Sequence, residues 1–209
     1  MKQGSLEWLT FRKTKITATD AADIMCKGFR SMGQLFDEKL GLREPDPMND
    51  AMKRGLELEG EAREAFEKET GLFVFPMVIT SPFHDFMAAS LDGMTMEKDV
   101  AVEIKCPGVK THMRTLKEGI PKYYIPQLQH QMSVTGLNEI YYFSYCPESE
   151  TNIPPIKCYR DEVYINNLIE KERQFFELYK EALIYLENHA LIIDGFKERL
   201  HNTLTEKNE

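Results

Sequence analysis

The sequence lacks the features that would place the protein in a membrane or an oxidising compartment. None of its apolar runs approaches the ~20 residues of a membrane-spanning helix, and the N-terminus carries no apolar signal segment. The four cysteines, Cys26, Cys106, Cys146 and Cys158, include no CxxC pair. That spacing argues against a zinc ribbon or a disulfide framework. We therefore expect reduced thiols, no membrane association and a cytoplasmic protein.

Positive charge is also scarce. The formal net charge is −8, whereas a protein that coats nucleic acid is usually basic. An acidic protein can still bind DNA if its cations line one groove, because the local field steers the ligand. Metal-binding carboxylates add negative charge that a bound cation would neutralise. The composition therefore disfavours a DNA-coating protein and permits a DNA-processing enzyme.

The chain length suits a single domain, assigned to residues 1–209, with a core over about 1–160 and a helical extension over about 161–209. Periodicity and capping signals predict helices near residues 16–26, 31–40, 51–70, 110–117, 127–135 and 162–189, with a polar tail after the last. Strands are predicted at residues 73–80, 86–91, 100–105, 140–146 and 156–159, with a turn at Asp92-Gly93. The order indicates an α/β or α+β domain with a central mixed five-stranded sheet flanked by helices.

Two carboxylates and a lysine are predicted to converge where this sheet opens. Glu103 and Lys105 alternate with Ile104 along one strand and so point to the same face, while Asp92 ends the neighbouring strand. A third carboxylate, Glu59, shares a helix stripe with small and apolar residues, which turns it toward the core.

This set of side chains suits hydrolysis of a phosphodiester. Carboxylates hold Mg²⁺, and a lysine beside the metal can orient or deprotonate the attacking water. The predicted ligands are Asp92, Glu103 and the backbone carbonyl of Ile104, with Glu59 contributing directly or through water. Taken alone, Glu-x-Lys is more often an exposed cross-strand pair, and Asp-Gly a simple turn. Their coincidence with an inward-facing Glu59 favours the catalytic interpretation.

Together these motifs resemble the PD-(D/E)XK nucleases, which have a restriction-endonuclease-like core, and among them the lambda exonuclease and YqaJ-type phage recombination group. The resemblance extends from Gly4 to about Gly136. Its six motifs are Glu7-Trp8-Leu9 with Arg12, Ile16-Thr17-Ala18-Thr19, Gly55 with Glu59-x-x-Ala62-Arg63, Ser90-Leu91-Asp92-Gly93, Glu103-Ile104-Lys105-Cys106-Pro107, and Gln127-x-Gln129.

The resemblance implies a bacterial or phage-encoded 5′-to-3′ exonuclease that degrades one strand of duplex DNA to mononucleotides and leaves a 3′ single-stranded tail. It also implies Mg²⁺ as the cofactor, with two ions and with Mn²⁺ as a substitute. A ring of three subunits around the DNA and a single-strand annealing protein as partner belong to the same expectation.

By motif, Asp92, Glu103 and Lys105 are expected to be catalytic, with Glu59 supporting the metal and Gln127 lining the active site.

The resemblance also implies a pocket for the terminal 5′-phosphate, formed by Arg12, Thr19 and Ser90, although without it Arg12 would be interpreted as a surface residue and Thr19 as a helix cap. Thr19 is predicted in the first turn of a helix, where free N–H groups favour an anion, and arginine suits phosphate. The family's further pocket arginine, after the Glu-x-Lys motif, is missing here, and Thr111 stands in its place. Lys110 or Arg114 could substitute for it.

Two alternatives stay open. One is another nuclease on the same core, either an endonuclease or an iron–sulfur type, although the scattered cysteines disfavour a cluster. The other is an inactive DNA-end-binding module, disfavoured because all four candidate residues, Glu59, Asp92, Glu103 and Lys105, are present.

Overall fold

A computed structural model describes the backbone of residues 5–205 and the side chains of residues 5–190. Its helices are α1 Leu6–Lys13, α2 Ala18–Ile24, α3 Met32–Leu40, α4 Asp50–Thr70, α5 Val109–Glu118, α6 Ile125–Thr135 and α7 Glu162–Thr205, with a 3₁₀ turn at Lys122–Tyr124. Its strands are β1 Ile16–Thr17, β2 Phe75–Thr80, β3 Met87–Met94, β4 Ala101–Lys105, β5 Glu139–Ser144 and β6 Ile156–Tyr159.

The strands form one mixed sheet, which confirms the predicted fold class. β1–β3 and β4–β5 are parallel, whereas β2–β3, β3–β4 and β5–β6 are antiparallel. The described sheet has six strands, not five, because Ile16 and Thr17 form β1, and the helix begins only after them, with Thr17 as the N-cap of α2. The Ile16 N–H donates to the carbonyl of Phe86 at 2.7 Å. Two residues are too few to show the alternation that marks a strand in a sequence.

One edge of β3 is shared by two strands. Ala88 pairs with both Thr17 of β1 and Thr80 of β2, and Met94 pairs with both Phe75 of β2 and Ala101 of β4. Since β2 fills one edge throughout, β1 and β4 must share the other. Residues 89–92 of β3 lie between these two ladders, so a gap in the sheet separates β1 from β4.

Helices cover both faces of the sheet. On one face, Ala62 and Phe66 of α4 pack with Val74, Val102 and Ile104 in a small core. The main core lies on the other face, under α2, α3, α6 and α7. The core-facing stripe predicted for α4 is confirmed at Ala62 and Phe66, which are fully buried, whereas Gly55 and Glu59 are half-buried.

Asp92 and Gly93 are not the predicted turn. They lie inside β3, and the chain reverses at residues 95–100, where the Thr95 N–H donates to the Val100 carbonyl at 3.0 Å. Phe75 and Met77 of β2 pair with Met94 and Leu91 of β3, so a step of two residues along β2 corresponds to a step of three along β3. β3 therefore carries a β-bulge at Asp92-Gly93. Glycine is required there because a Cβ would lie 2.6 Å from Val74 Cγ2.

The predicted end of the last helix near residue 189 is also wrong, because α7 continues to Thr205. No proline interrupts this stretch, and one internal glycine costs a helix only about 1 kcal/mol. No helix in the described part of the chain combines the length and the apolarity needed to cross a bilayer.

Candidate active site

Asp92 and Glu103 meet where β3 and β4 separate. The β3–β4 ladder ends at the pair Gly93–Val102. Beyond it, the Ile104 N–H donates to Asp92 Oδ2 at 2.8 Å, so the carboxylate takes the place of a ladder carbonyl. The bulge allows this, because Leu91 and Met94 on either side of it both point into the main core.

Three side-chain donors contact the carboxylate of Glu103. Its side chain is almost fully buried and pairs with Lys105 Nζ at 2.5 Å. Gln127 Nε2 donates to Oε1, and Gln131 Nε2 donates to Oε2 at 2.5 Å. A buried carboxylate is tolerated only when paired and hydrogen-bonded, and this environment supplies both. Glu103 is therefore oriented by α6 as well as by its own strand.

Lys105 lies between the carboxylates and an aromatic ring. Its Nζ is 4.9 Å from the ring centroid of Tyr124, within cation–π range. Burial alone would lower the pKa of Lys105, but the charges of Glu103 and Asp92 outweigh burial and raise it. Lys105 is therefore a protonated ammonium at neutral pH.

Burial and the neighbouring charge of Glu103 raise the pKa of Asp92 to about 8. Two carboxylates this close cannot both ionise without a compensating cation. A divalent ion held between them would relieve that repulsion.

The oxygen donors at this place fit magnesium. Among the described residues, no three His, Cys, Asp or Glu side chains are already grouped to hold a metal ion. Mg²⁺ is usually held through only one or two carboxylates and keeps several waters. Asp92 and Glu103 supply two carboxylates that repel each other, which matches that need. The carbonyl of Ile104 stays a predicted third donor.

Glu59 stands next to this pair but is held by Arg63. Arg63 Nη2 donates to the Glu59 carboxylate one helical turn away, and Arg63 Nε donates to the Asp92 carbonyl at 2.9 Å. Arg63 thereby ties α4 to the bulge. Glu59 keeps about a third of its side chain exposed, and its charge contributes to the raised pKa of Asp92. A role for Glu59 in metal binding stays a prediction.

Arg12 and Ser90 belong to one assembly beside the gap in the sheet. Trp8 Nε1 donates to Ser90 Oγ at 3.0 Å, and the Arg12 guanidinium lies 4.6 Å from the Trp8 ring centroid. Arg12 also donates to the hydroxyl of Thr17 at 3.3 Å. Ser90 lies two residues before Asp92 on β3, so this cluster borders the two candidate carboxylates.

A buried carboxylate anchors the Arg12 side of this assembly. Asp20 accepts hydrogen bonds from the N–H and the hydroxyl of Thr17, both at 2.9 Å, and pairs with Lys39 at 3.0 Å. Burial alone would raise the pKa of Asp20, but Lys39 and Arg12 outweigh it and lower the pKa to about 2. Asp20 is therefore a permanent charge that holds Arg12 near Thr17.

The other predicted phosphate ligands are less engaged. Thr19 is exposed in the first turn of α2. Lys110 and Arg114 are exposed on α5, and neither side chain makes a hydrogen bond or ion pair with another described residue. Thr111 lies on the same helix, where its carbonyl accepts from Thr115. The roles of Lys110 and Arg114 as substitutes for the missing arginine therefore stay predictions.

Two contributors to the site were missed in the sequence. Gln131 clamps Glu103, and its spacing of four from Gln127 on one helix was an available signal. Arg63 lies in the Glu59-x-x-Ala62-Arg63 motif, but the sequence alone assigned it no role. Gln129, quoted in the same motif as Gln127, has a structural part, since it donates to the Tyr159 carbonyl at 2.8 Å and accepts from the Asp161 N–H.

Comparison with known proteins identifies the family of this chain. The sequence profile of the YqaJ-like viral recombinase domain matches residues 7–138, which include the Trp8, Arg12 and Ser90 cluster, Asp92, Glu103 and both clamping glutamines. The chain belongs to the YqaJ-like viral recombinase family. No curated protein sequence matches it at a significant level.

Solved structures include relatives of this YqaJ-like chain. An alkaline exonuclease, LHK-Exo from Laribacter hongkongensis, is 32% identical, covers 90% of this chain and 100% of its own, and superimposes with a TM-score of 0.80. A phage-related exonuclease from Haemophilus somnus 129PT is 15% identical, with 84% and 96% coverage and a TM-score of 0.59, which supports the fold alone. The family and the first relative support a nuclease role for the YqaJ-like chain.

Proposed function

We propose that this chain is a Mg²⁺-dependent 5′-to-3′ exonuclease that degrades one strand of duplex DNA to mononucleotides and leaves a 3′ single-stranded tail. The observation that carries the proposal is the gap in the sheet beside β3. The catalytic set Asp92, Glu103 and Lys105 lies at its β4 side, and the Trp8, Arg12 and Ser90 cluster lies beside it.

The chemistry assigned to each residue follows from its contacts. Asp92 and Glu103 would hold magnesium, which when bound activates water and neutralises charge on the phosphate. Gln127 and Gln131 keep Glu103 aimed at that position. Because Lys105 carries a proton, its role is to stabilise the charge that develops on the phosphate and to donate a proton to the leaving oxygen.

The polarity is inferred from the neighbouring cluster. Arg12 presents a guanidinium, which is well suited to bind a phosphate. Trp8 contacts both the Arg12 guanidinium, through its ring, and the Ser90 hydroxyl, through Nε1. A terminal 5′-phosphate bound there would place the first phosphodiester at Asp92 and Glu103. Binding of the end, and not of internal DNA, would then make the enzyme an exonuclease with a 5′ preference.

Release of mononucleotides is supported by a relative. LHK-Exo has also been solved in complex with dAMP, a nucleoside monophosphate. We infer that the corresponding pocket of this chain accommodates one nucleotide of the strand being hydrolysed.

The assembly and partner are part of the same proposal. Three copies would form a ring around the duplex, and a single-strand annealing protein would take up the 3′ tail. Exposed apolar side chains on α4, such as Met52 and Leu56, offer area for a subunit contact. Light scattering would test the ring directly, with three times the chain mass as the expected result.

The test of the activity is digestion of a linear duplex labelled separately at the 5′ and 3′ ends, with Mg²⁺ or with EDTA. Early, magnesium-dependent release of the 5′ label as a mononucleotide, with a circular duplex left intact, is the expected result. Cutting of the circle would indicate an endonuclease instead. Binding of ends without any hydrolysis would indicate an inactive end-binding module.

A further inference from the structure

An exposed phenylalanine stands at the end of an aromatic row that leads to the active site. Phe29, in the loop between α2 and α3, has 88% of its surface exposed, the largest exposed fraction among the large apolar residues of the described part. Its ring packs edge-on against Tyr123, with 5.5 Å between centroids. Single exposed apolar residues are common, so exposure alone assigns nothing to it.

The loop that carries Phe29 is firmly anchored. The N–H groups of Lys27 and Gly28 both donate to the Ala22 carbonyl at 2.8 Å. Arg30 donates through Nε to Asp23 Oδ2 at 2.8 Å. A Cβ on Gly28 would lie 1.9 Å from Asp23 Oδ1, so glycine permits this close packing. The Phe29 ring is therefore presented to solvent by a preorganised loop, which lowers the entropic cost of binding.

The row continues from Phe29 inward to the catalytic lysine. The Tyr123 and Tyr124 ring centroids are 4.5 Å apart, and Tyr124 covers Lys105 Nζ at 4.9 Å. The exposed ring is thus connected through two tyrosines to the group that would contact the scissile phosphate.

Positive charge flanks the outer end of the row. Lys27, two residues before Phe29, and Lys122, next to Tyr123, are both exposed. In a chain with a net charge of −8, two free ammonium groups beside an aromatic pair are complementary to a phosphate backbone. Aromatic rings combined with flanking cations are how proteins hold single-stranded nucleic acid without reading its sequence.

We propose that Phe29 and Tyr123 form a stacking platform for an unpaired nucleobase of the strand being hydrolysed. The inference rests on the proposed nuclease function and adds how the strand is held there. The end of a duplex must open for a nucleotide to reach Lys105, and its base then loses its partner. Stacking on Phe29 replaces the lost base stacking and tolerates every sequence.

Phe29→Ala tests the platform because the side chain is exposed and its loss leaves the core intact. On a 5′-phosphorylated duplex we expect kcat/KM to fall by roughly 5- to 150-fold, the equivalent of ~1–3 kcal/mol per stacked base. Tyr123→Phe keeps the ring and should retain activity. Phe73→Ala is the matched control: Phe73 is 74% exposed and precedes the end of β2 that pairs with Met94, at the opposite end of β4 from Lys105.

Modified substrates separate stacking from other effects of the substitution. With abasic nucleotides placed in turn at the first three positions of the digested strand, the wild type should slow at one position by the same factor, and Phe29→Ala should not discriminate there. Equal activity of Phe29→Ala and wild type on unmodified DNA would overturn the platform, as would an equal loss on all the abasic substrates. A change of oligomeric state in Phe29→Ala would make Phe29 a subunit contact instead and overturn it too.

A binding measurement keeps the inference independent of hydrolysis. With Ca²⁺ in place of Mg²⁺, the wild type should quench 2-aminopurine at the same position of the 5′ strand, and Phe29→Ala should not. Quenching without digestion in Mg²⁺ would refute the proposed exonuclease while supporting the platform. Digestion without quenching at any of the three positions would do the reverse.

Discussion

Replacing Gly93 with alanine tests whether the bulge in β3 aims Asp92 at the site. The added Cβ would lie 2.6 Å from Val74 Cγ2 and 2.8 Å from Val102 Cγ1, closer than such atoms approach in folded proteins. Gly93 is paired with Val102 across the ladder, so the backbone cannot withdraw without disturbing β4. Overpacking of this kind costs about 1–3 kcal/mol. For a chain of this size, each kcal/mol lowers Tm by ~2–4 °C.

The same strain should displace the Asp92 carboxylate. A misplacement of about 1 Å at a reacting group can reduce the rate on the order of 10²-fold, so activity should fall by more than the loss of folded protein explains. Urea unfolding measures the loss of stability, and 5′-end digestion without urea, where each variant is fully folded, measures the loss of activity. Adding Val74→Ala removes the nearest methyl group and should restore part of both.

A second glycine supplies the control. Gly60 is exposed within α4, and a Cβ there meets nothing within 4 Å. Gly60→Ala should therefore stabilise the protein by about 0.5–1 kcal/mol, the opposite sign from Gly93→Ala. If Gly93→Ala unfolds at the wild-type urea concentration and digests DNA at the wild-type rate, the bulge has no part in positioning Asp92.

The remaining predictions concern the charged groups of the site and the amide that clamps them. Asp92→Asn and Lys105→Ala should each abolish magnesium-dependent hydrolysis while unfolding stays cooperative, and turnover by either variant would remove that residue from the assigned site. Arg12→Ala should slow digestion of a 5′-phosphorylated end more than that of a 5′-hydroxyl end, with Lys13→Ala as the exposed neighbouring control; an equal loss on both ends would contradict the phosphate role. Gln131→Met leaves the buried carboxylate that it contacts one donor short, worth ~1.5–3 kcal/mol, so half-maximal activity should require roughly tenfold or more Mg²⁺; an unchanged magnesium titration would contradict the clamp. Without metal, the folded protein keeps a proton on Asp92 up to about pH 8 that the unfolded chain releases near its ordinary pKa of 3.8. The unfolding free energy in EDTA should therefore fall as pH rises between those values, and Mg²⁺ should restore it at the upper end; a slope that is the same in Asp92→Asn would assign it to other groups.

Elements set by local chemistry were predicted closely. Ser31 begins α3 through a hydrogen bond to the Gln34 N–H, and Gly41 ends it with a left-handed φ of 72°. Such caps depend on a few neighbouring residues, so they can be recognised in a sequence. β1 was missed because it is defined by its pairing with β3, some seventy residues away in the sequence. Asp92-Gly93 suggests a turn by composition, yet the close approach of Val74 makes the glycine necessary inside a strand.

The candidate site shows the same difference between residues that a local sequence pattern identifies and residues that only a distant contact identifies. Asp92, Glu103 and Lys105 could be predicted because strand alternation and residue type are both local, and acid groups beside a lysine imply a specific chemistry. Gln131 could not be assigned a role by that reasoning, because an amide in a helix implies no chemistry until a buried carboxylate is found opposite it. Its contact joins α6 to β4 across 28 residues, and only the fold creates it. Glu103 is thus oriented by a helix that follows its own strand in the sequence, so the position of its carboxylate depends on how α6 packs on the sheet and not on the Glu-x-Lys motif alone.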